Sequence, residues 1–279
     1  MIRRAVGSEL WLFTQHDHAQ LAGELAQRFG NARFARPEPR EATVRGIALH
    51  DCGWPLHDDA PTLNQQHLPL DVFETPRHIG LEVWSASAQR AAAADPYAGL
   101  LVSLHSLALS VFATTQTPFT HEKFDAVDPR ARFDINKFQH AQIELQETLR
   151  RRIGLSVDQP LTQGLAEDSR DAREQQLVMN FRLLQAMDKL SLNICCTQPL
   201  FPKIEPLIAQ PGARPMKLHV TRPSAHELRI RPWPFDRDEL PVEIPYRILA
   251  HRAYTDETEL RAVYDAAPTA TLRCTVRHD

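Results

Sequence analysis

A carboxylate standing in an apolar helical stripe places the strongest demand on how this chain can fold. Leu177, Phe181, Leu184 and Asp188 recur at helical spacing on one face of a helix expected from about residue 171 to 194. A charged carboxylate carried into a core without a partner is costly or takes up a proton. The fold must therefore bring an arginine, a lysine or a metal ion to Asp188. The local string Leu184-Gln185-Ala186-Met187-Asp188-Lys189-Leu190 makes a metal the most attractive of the three.

Histidines raise the same question elsewhere. Four His-Asp pairs occur in a chain with 13 histidines, where roughly one is expected by chance, so the pair alone carries little weight. Asp17 of the first pair suits helix capping, His57-Asp58 falls in a polar connection, and His278-Asp279 is the last pair. Only His50-Asp51 ends an apolar helix, expected over residues 41 to 51. There Val44, Ile47, Ala48 and Leu49 face inward and Gly53 lets the chain turn away. An imidazole nitrogen and a carboxylate oxygen at one helix end can reach adjacent ions, with Asp51 as the natural bridge in a catalytic centre. His105 lies within another apolar stripe, with Leu101, Leu104, Ala108, Val111 and Phe112. Taken singly, His105 reads as a core histidine and His78 as a helix-start residue. One metal site explains a buried histidine and a buried aspartate together.

Helices are expected to dominate residues 15 to 196, after a short hairpin around Gly7 and Ser8 and a helix start capped by Thr14. From residue 199 onward prolines recur, and strands are expected at 217 to 221, 227 to 231, 246 to 250 and 271 to 276. The expected organisation is a helical metal-binding domain over residues 1–198 with its hairpin, then a proline-rich linker and β-rich tail over 199–279, packed on the first domain. With 43% hydrophobic residues the chain can bury a real core, and a net charge of -3 with scattered arginines gives no footprint for nucleic acid or an anionic membrane. No signal-like or membrane-length apolar run is found, so a cytoplasmic protein acting on a small molecule is expected. The four cysteines form no CxxC pair and suggest neither a disulfide framework nor a zinc ribbon.

The sequence resembles the HD-domain superfamily, whose members place an early His, an HD pair and a late Asp in that order. His18, followed by Ala22, Gly23, Leu25 and Ala26, matches the early position; His50-Asp51 and Asp188 match the others. Members with two metals add two histidines in between, where His78 and His105 stand. The pattern covers roughly residues 15 to 195 and implies a mainly α, HD-domain-like helical bundle with an N-terminal β-hairpin and a β-rich C-terminal extension. It also implies two divalent or iron-type ions, iron or manganese foremost and magnesium or zinc as further candidates. The six ligands would be His18, His50, Asp51, His78, His105 and Asp188. The strings Thr14-Gln15-His16-Asp17-His18 and His50-Asp51-Cys52-Gly53-Trp54 are also similar to a bacterial family of unknown function, and Trp54 departs from the Lys or His that commoner HD enzymes carry there.

The function expected first is hydrolysis of a small phosphate ester, a phosphomonoester or phosphodiester, with Arg77 and Lys189 placed to reach its phosphate. A diiron oxygenase cleaving a C-C or C-P bond is the second expectation, since histidine-rich ligation also suits iron. A non-catalytic metal-binding protein is the third. His57, Asp58, Asp59, His121 and Lys123 lie in two long connections where a selectivity wall could form, and His121 is a candidate proton donor.

Overall fold

The computed structural model describes residues 1–115, 129–157, 171–197 and 200–279, with the side chains of 111–115 excepted. His121 and Lys123 lie outside the described residues. The chain opens with β1 (Ile2–Val6) and β2 (Glu9–Phe13), paired antiparallel about a turn in which Gly7 takes φ 58°. The helices α1 (Gln15–Arg28), α2 (Arg40–Ala48), α3 (Pro55–Asp58), α4 (Arg77–Ala94), α5 (Pro96–Thr115), α6 (Pro129–Arg152) and α7 (Ala172–Cys195) follow, with a single 3-10 turn at Val72–Glu74 before α4. The remaining elements are β3 (Lys203–Leu207), β4 (Met216–Ser224), β5 (Glu227–Arg231), β6 (Glu239–Ala250), α8 (Glu257–Ala266) and β7 (Thr269–His278). Among the described residues no helix is long and apolar enough to cross a membrane.

A mainly α bundle with a β-rich appendage is not what forms. About half of the chain is helical, and among the described residues all seven strands join one curled mixed sheet in the order β1-β2-β6-β7-β5-β4-β3. Every neighbouring pair is antiparallel except β5 with β7. The physical reason lies in the hairpin. Two strands alone are marginal in water, and the open edge of β2 takes Arg247 to Ala250 of β6 as its partner, so the first and last strands of the chain share one sheet.

The sheet continues the helical core. Leu177, Leu184 and Met187 of α7 are buried in the same apolar cluster as Leu218, Ile230, Ile244 and Val276 of the strands. A smaller cluster, with Leu10, Leu12, Leu249, Tyr254, Leu260 and Tyr264, lies under α8, a helix that the sequence reading did not anticipate. Strand β6 is also longer than expected because Pro241 and Pro245 sit inside it. Both pair across to β7, but β2 reaches only the last four residues of β6. In the proline-bearing half, an N–H missing on the open side costs no ladder bond.

Candidate metal centre

His18 is positioned by the start of α1. Thr14 caps that helix by accepting from the Asp17 amide at 3.0 Å, and buried Asp58 accepts from the Gln15 amide at 2.5 Å. Asp58 therefore serves α1 from a short helix and does not belong to an open polar loop. Gly23 lets α2 come close: a Cβ there would lie 2.7 Å from the Ala48 Cβ. Helix α2 ends at Ala48, so His50 and Asp51 sit in the turn after it and not on its last coil. That turn is pinned to α4 by the Gly53 amide donating to Ser87 Oγ at 2.8 Å and by Arg90 donating to the Cys52 carbonyl at 2.5 Å. A Cβ on Gly53 would collide with the Val83 carbonyl, so glycine here permits close approach to α4.

Five side chains meet at this point. His18 Nε2 lies 3.2 Å from Asp51 Oδ2 and 3.7 Å from Asp188 Oδ1. His50 Nε2 lies 3.7 and 3.6 Å from the same two oxygens, and His105 Nε2 lies 3.6 Å from Asp188 Oδ2. Two groups have ligand atoms all within 4.8 Å of one another: His18, His50 and Asp51, and His50, His105 and Asp188. His78 is not brought in; it is exposed at the first turn of α4. Lys189 also faces elsewhere, donating to the Glu205 carbonyl at 3.0 Å beside the Phe201 ring. Arg77 does line the cavity that opens onto Asp51, His105 and Asp188.

The hydrogen bonds determine where protons sit. A carbonyl only accepts, so the 2.7 Å contact from His50 Nδ1 to the Ile47 carbonyl puts a hydrogen on Nδ1. Ser191 donates to the Asp188 carbonyl at 2.9 Å and so accepts from His18 Nδ1 at 2.7 Å. With both Nδ1 hydrogens turned outward, two Nε2 lone pairs face each other at 3.2 Å across the cluster. Such an arrangement repels unless a proton or a cation lies between them. A proton on His50 would relieve it. Burial opposes charge on His50, but the Asp51 and Asp188 carboxylates and the Ile47 carbonyl outweigh it and hold its pKa up at about 9. Burial likewise works against charge on Asp51 and Asp188, yet His50 and His18 hold both below the usual carboxylate range. Burial lowers His105 to about 4, so it is a neutral imidazole at physiological pH.

The donor set fits a divalent ion. Among the described residues neither Asp51 nor Asp188 has a lysine or arginine ion-pair partner, so the buried Asp51 and the largely buried Asp188 carboxylates face only imidazoles. Two carboxylates, three neutral imidazoles and one divalent cation sum to no net charge, which is the condition for burying such a cluster cheaply. Ser191, which orients His18, was missed by sequence reasoning. Its signal is its place three residues after Asp188 on the same helix face.

By fold and site this is an α+β protein with helices packed on a curled mixed sheet and a His/Asp cluster that could hold a metal ion. The family model described as Protein of unknown function (DUF3891) matches residues 1–251, from the hairpin through β6, and the chain belongs to that family. No curated protein and no solved structure matches it.

Proposed function

We propose that the protein is a metal-dependent hydrolase of a small phosphate ester, with an ion held by His18, His50, Asp51 and Asp188 and with His105 completing the site. The observation that carries this reading is the pair of facing Nε2 lone pairs between the Asp51 and Asp188 carboxylates, at the floor of a cavity whose wall contributes Arg77. The order His18, His50-Asp51, His105, Asp188 resembles that of HD-type phosphohydrolases and supports the same reaction class.

One ion per chain is the stoichiometry this geometry favours. The two candidate ligand groups share His50, whose Nδ1 hydrogen is taken by Ile47, and one imidazole lone pair serves one ion. A second ion needs a further ligand such as His78. A divalent ion at this position would supply Lewis acidity to a phosphoryl oxygen and lower the pKa of a bound water toward about 7. The chain's own part is to hold His18 and His50 in one tautomer through Ser191 and Ile47, and to meet the phosphate charge with the Arg77 guanidinium.

The test is elemental analysis of protein purified without chelator, followed by an assay of phosphate release from an aryl phosphate with manganese, magnesium or zinc. One ion per chain, lost in Asp188→Ala, with turnover that Arg77→Ala weakens, is the expected result. No uptake after reconstitution, or a metal-loaded chain that releases no phosphate, would sink the proposal. The three-histidine, two-carboxylate donor set also suits iron. Iron in the isolated protein, with oxygen consumption and no ester cleavage, would favour an oxygenase.

A further inference from the structure

Among the described residues that line the cavity above the cluster, Gln15, Trp54 and His105 each carry a buried side-chain nitrogen without a hydrogen-bond partner, and Gln15 and Trp54 stand outside the ligand set. Gln15 and Trp54 both line it and are only 2% and 4% exposed. The Gln15 Nε2 and Trp54 Nε1 have no hydrogen-bond partner among the described residues. Buried donors in folded proteins are nearly always paired, so two orphans on one cavity wall mark the place of an acceptor that the chain does not supply. An indole N–H can only donate, and the Gln15 amide can present its NH2 group by turning about its last bond. Gln15 stands three residues before His18 on α1, and Trp54 three after Asp51, so both sit beside the ligand cluster.

The remaining wall limits what carries that acceptor. Among the described residues Arg77 is the one lysine or arginine lining the cavity, which suits a single anionic group and not a polyphosphate chain. Phe73, Trp84, Leu109 and Leu192 make much of the lining apolar. The cavity measures about 130 Å³. Since one water needs about 10–15 Å³ on this measure, there is room for roughly ten non-hydrogen atoms, the size of one ring with a phosphoryl group.

We propose that the site takes a phosphoryl group carried on a single-ring aromatic body, with its oxygens received by Gln15, Trp54 and Arg77 and its ring held against Phe73 and Trp84. This assignment rests on the reading of the cluster as a metal centre. It concerns binding and does not require turnover.

The test is to titrate the metal-loaded protein, its metal content measured on the same sample, with benzylphosphonate, methylphosphonate, phenylacetate and inorganic phosphate, following heat and tryptophan emission. Benzylphosphonate is expected to bind at least about tenfold more tightly than each of the others. Trp54→Phe keeps a ring but removes the N–H, and Gln15→Met keeps the length but removes the amide. Each is expected to weaken benzylphosphonate binding about tenfold at unchanged metal content. Trp84→Ala should abolish the preference for the benzyl over the methyl compound. Equal affinity for the ligands, or wild-type affinity in both Trp54→Phe and Gln15→Met, overturns the assignment, and the wild-type series decides even where a variant loses its metal. A chain that takes up no metal sinks this reading and the hydrolase together. A metal-loaded chain indifferent to the benzyl group sinks this one alone.

Discussion

At the scale of residues, the proposed centre sets a proton against a metal ion that could take the space between His18 and His50. The His50 pKa is raised from an ordinary 6.5 to about 9 in the metal-free chain. Its contribution to stability is therefore fully present below about pH 6.5 and lost as the pH rises through about 9. Asp51 and Asp188 work in the opposite sense. Their depressed pKa values contribute above the ordinary 3.8 and are lost as the pH falls through the lower folded values. The metal-free protein should thus lose melting temperature between pH 6.5 and 9, and the metal-loaded protein should lose much less. Calorimetric metal titrations near neutral pH, in buffers of different ionisation enthalpy, should report close to one proton released per ion. A melting temperature that rises with pH over that window in the metal-free chain would contradict the proton placement. Ser191→Ala removes the acceptor that orients His18 and should weaken metal binding by roughly 10–100-fold with little change in secondary structure, as read by competition with a chelating dye.

At the scale of elements, the turn of residues 49 to 54 carries two candidate ligands, His50 and Asp51, and is held from outside by α4. Gly53 lies where a Cβ would strike the Val83 carbonyl and crowd Ser87. Gly53→Ala should therefore destabilise the fold by about 1–3 kcal/mol in urea unfolding and also reduce metal affinity, because the turn can only relieve the clash by moving Asp51. Unchanged affinity in a destabilised Gly53→Ala would mean that the turn holds its ligands without α4. The periodicity of single elements was readable: Asp188 interrupts its apolar stripe and His105 lies within one, and both reach the cluster. The first turn of α4 was not readable in the same way. His78 sits in the chain order that the HD pattern suggested, but order along a chain does not say which face of a helix meets the core, and its side chain is exposed.

At the scale of the whole molecule, the helices and the sheet share one core. Residues of α7 on both sides of Asp188 are buried in the same cluster as the strands from Ile204 to Val276. A chain cut after residue 198 would leave that face of α7 in water and the edge of β2 unpaired. Such a fragment should show neither a cooperative thermal transition nor metal binding; a sharp transition with bound metal would mean that the helical part is independent of the sheet. Calorimetry and metal analysis on the 1–198 fragment decide between the two.

What the sequence determined by itself was local: the capped start of α1, the hairpin around Gly7, and the placement of His105 and Asp188 in apolar stripes, because each depends on neighbours within a turn or two of chain. The β-rich character of the tail was legible for the same reason, although the prolines in β6 hid half of that strand. Only the tertiary structure decided that the hairpin and the tail make one sheet, that Ser191 orients His18, and that Gln15 and Trp54 share a cavity wall with Arg77. Those facts join residues far apart in the chain, and strand pairing, side-chain orientation and cavity shape are properties of the packed surfaces that meet.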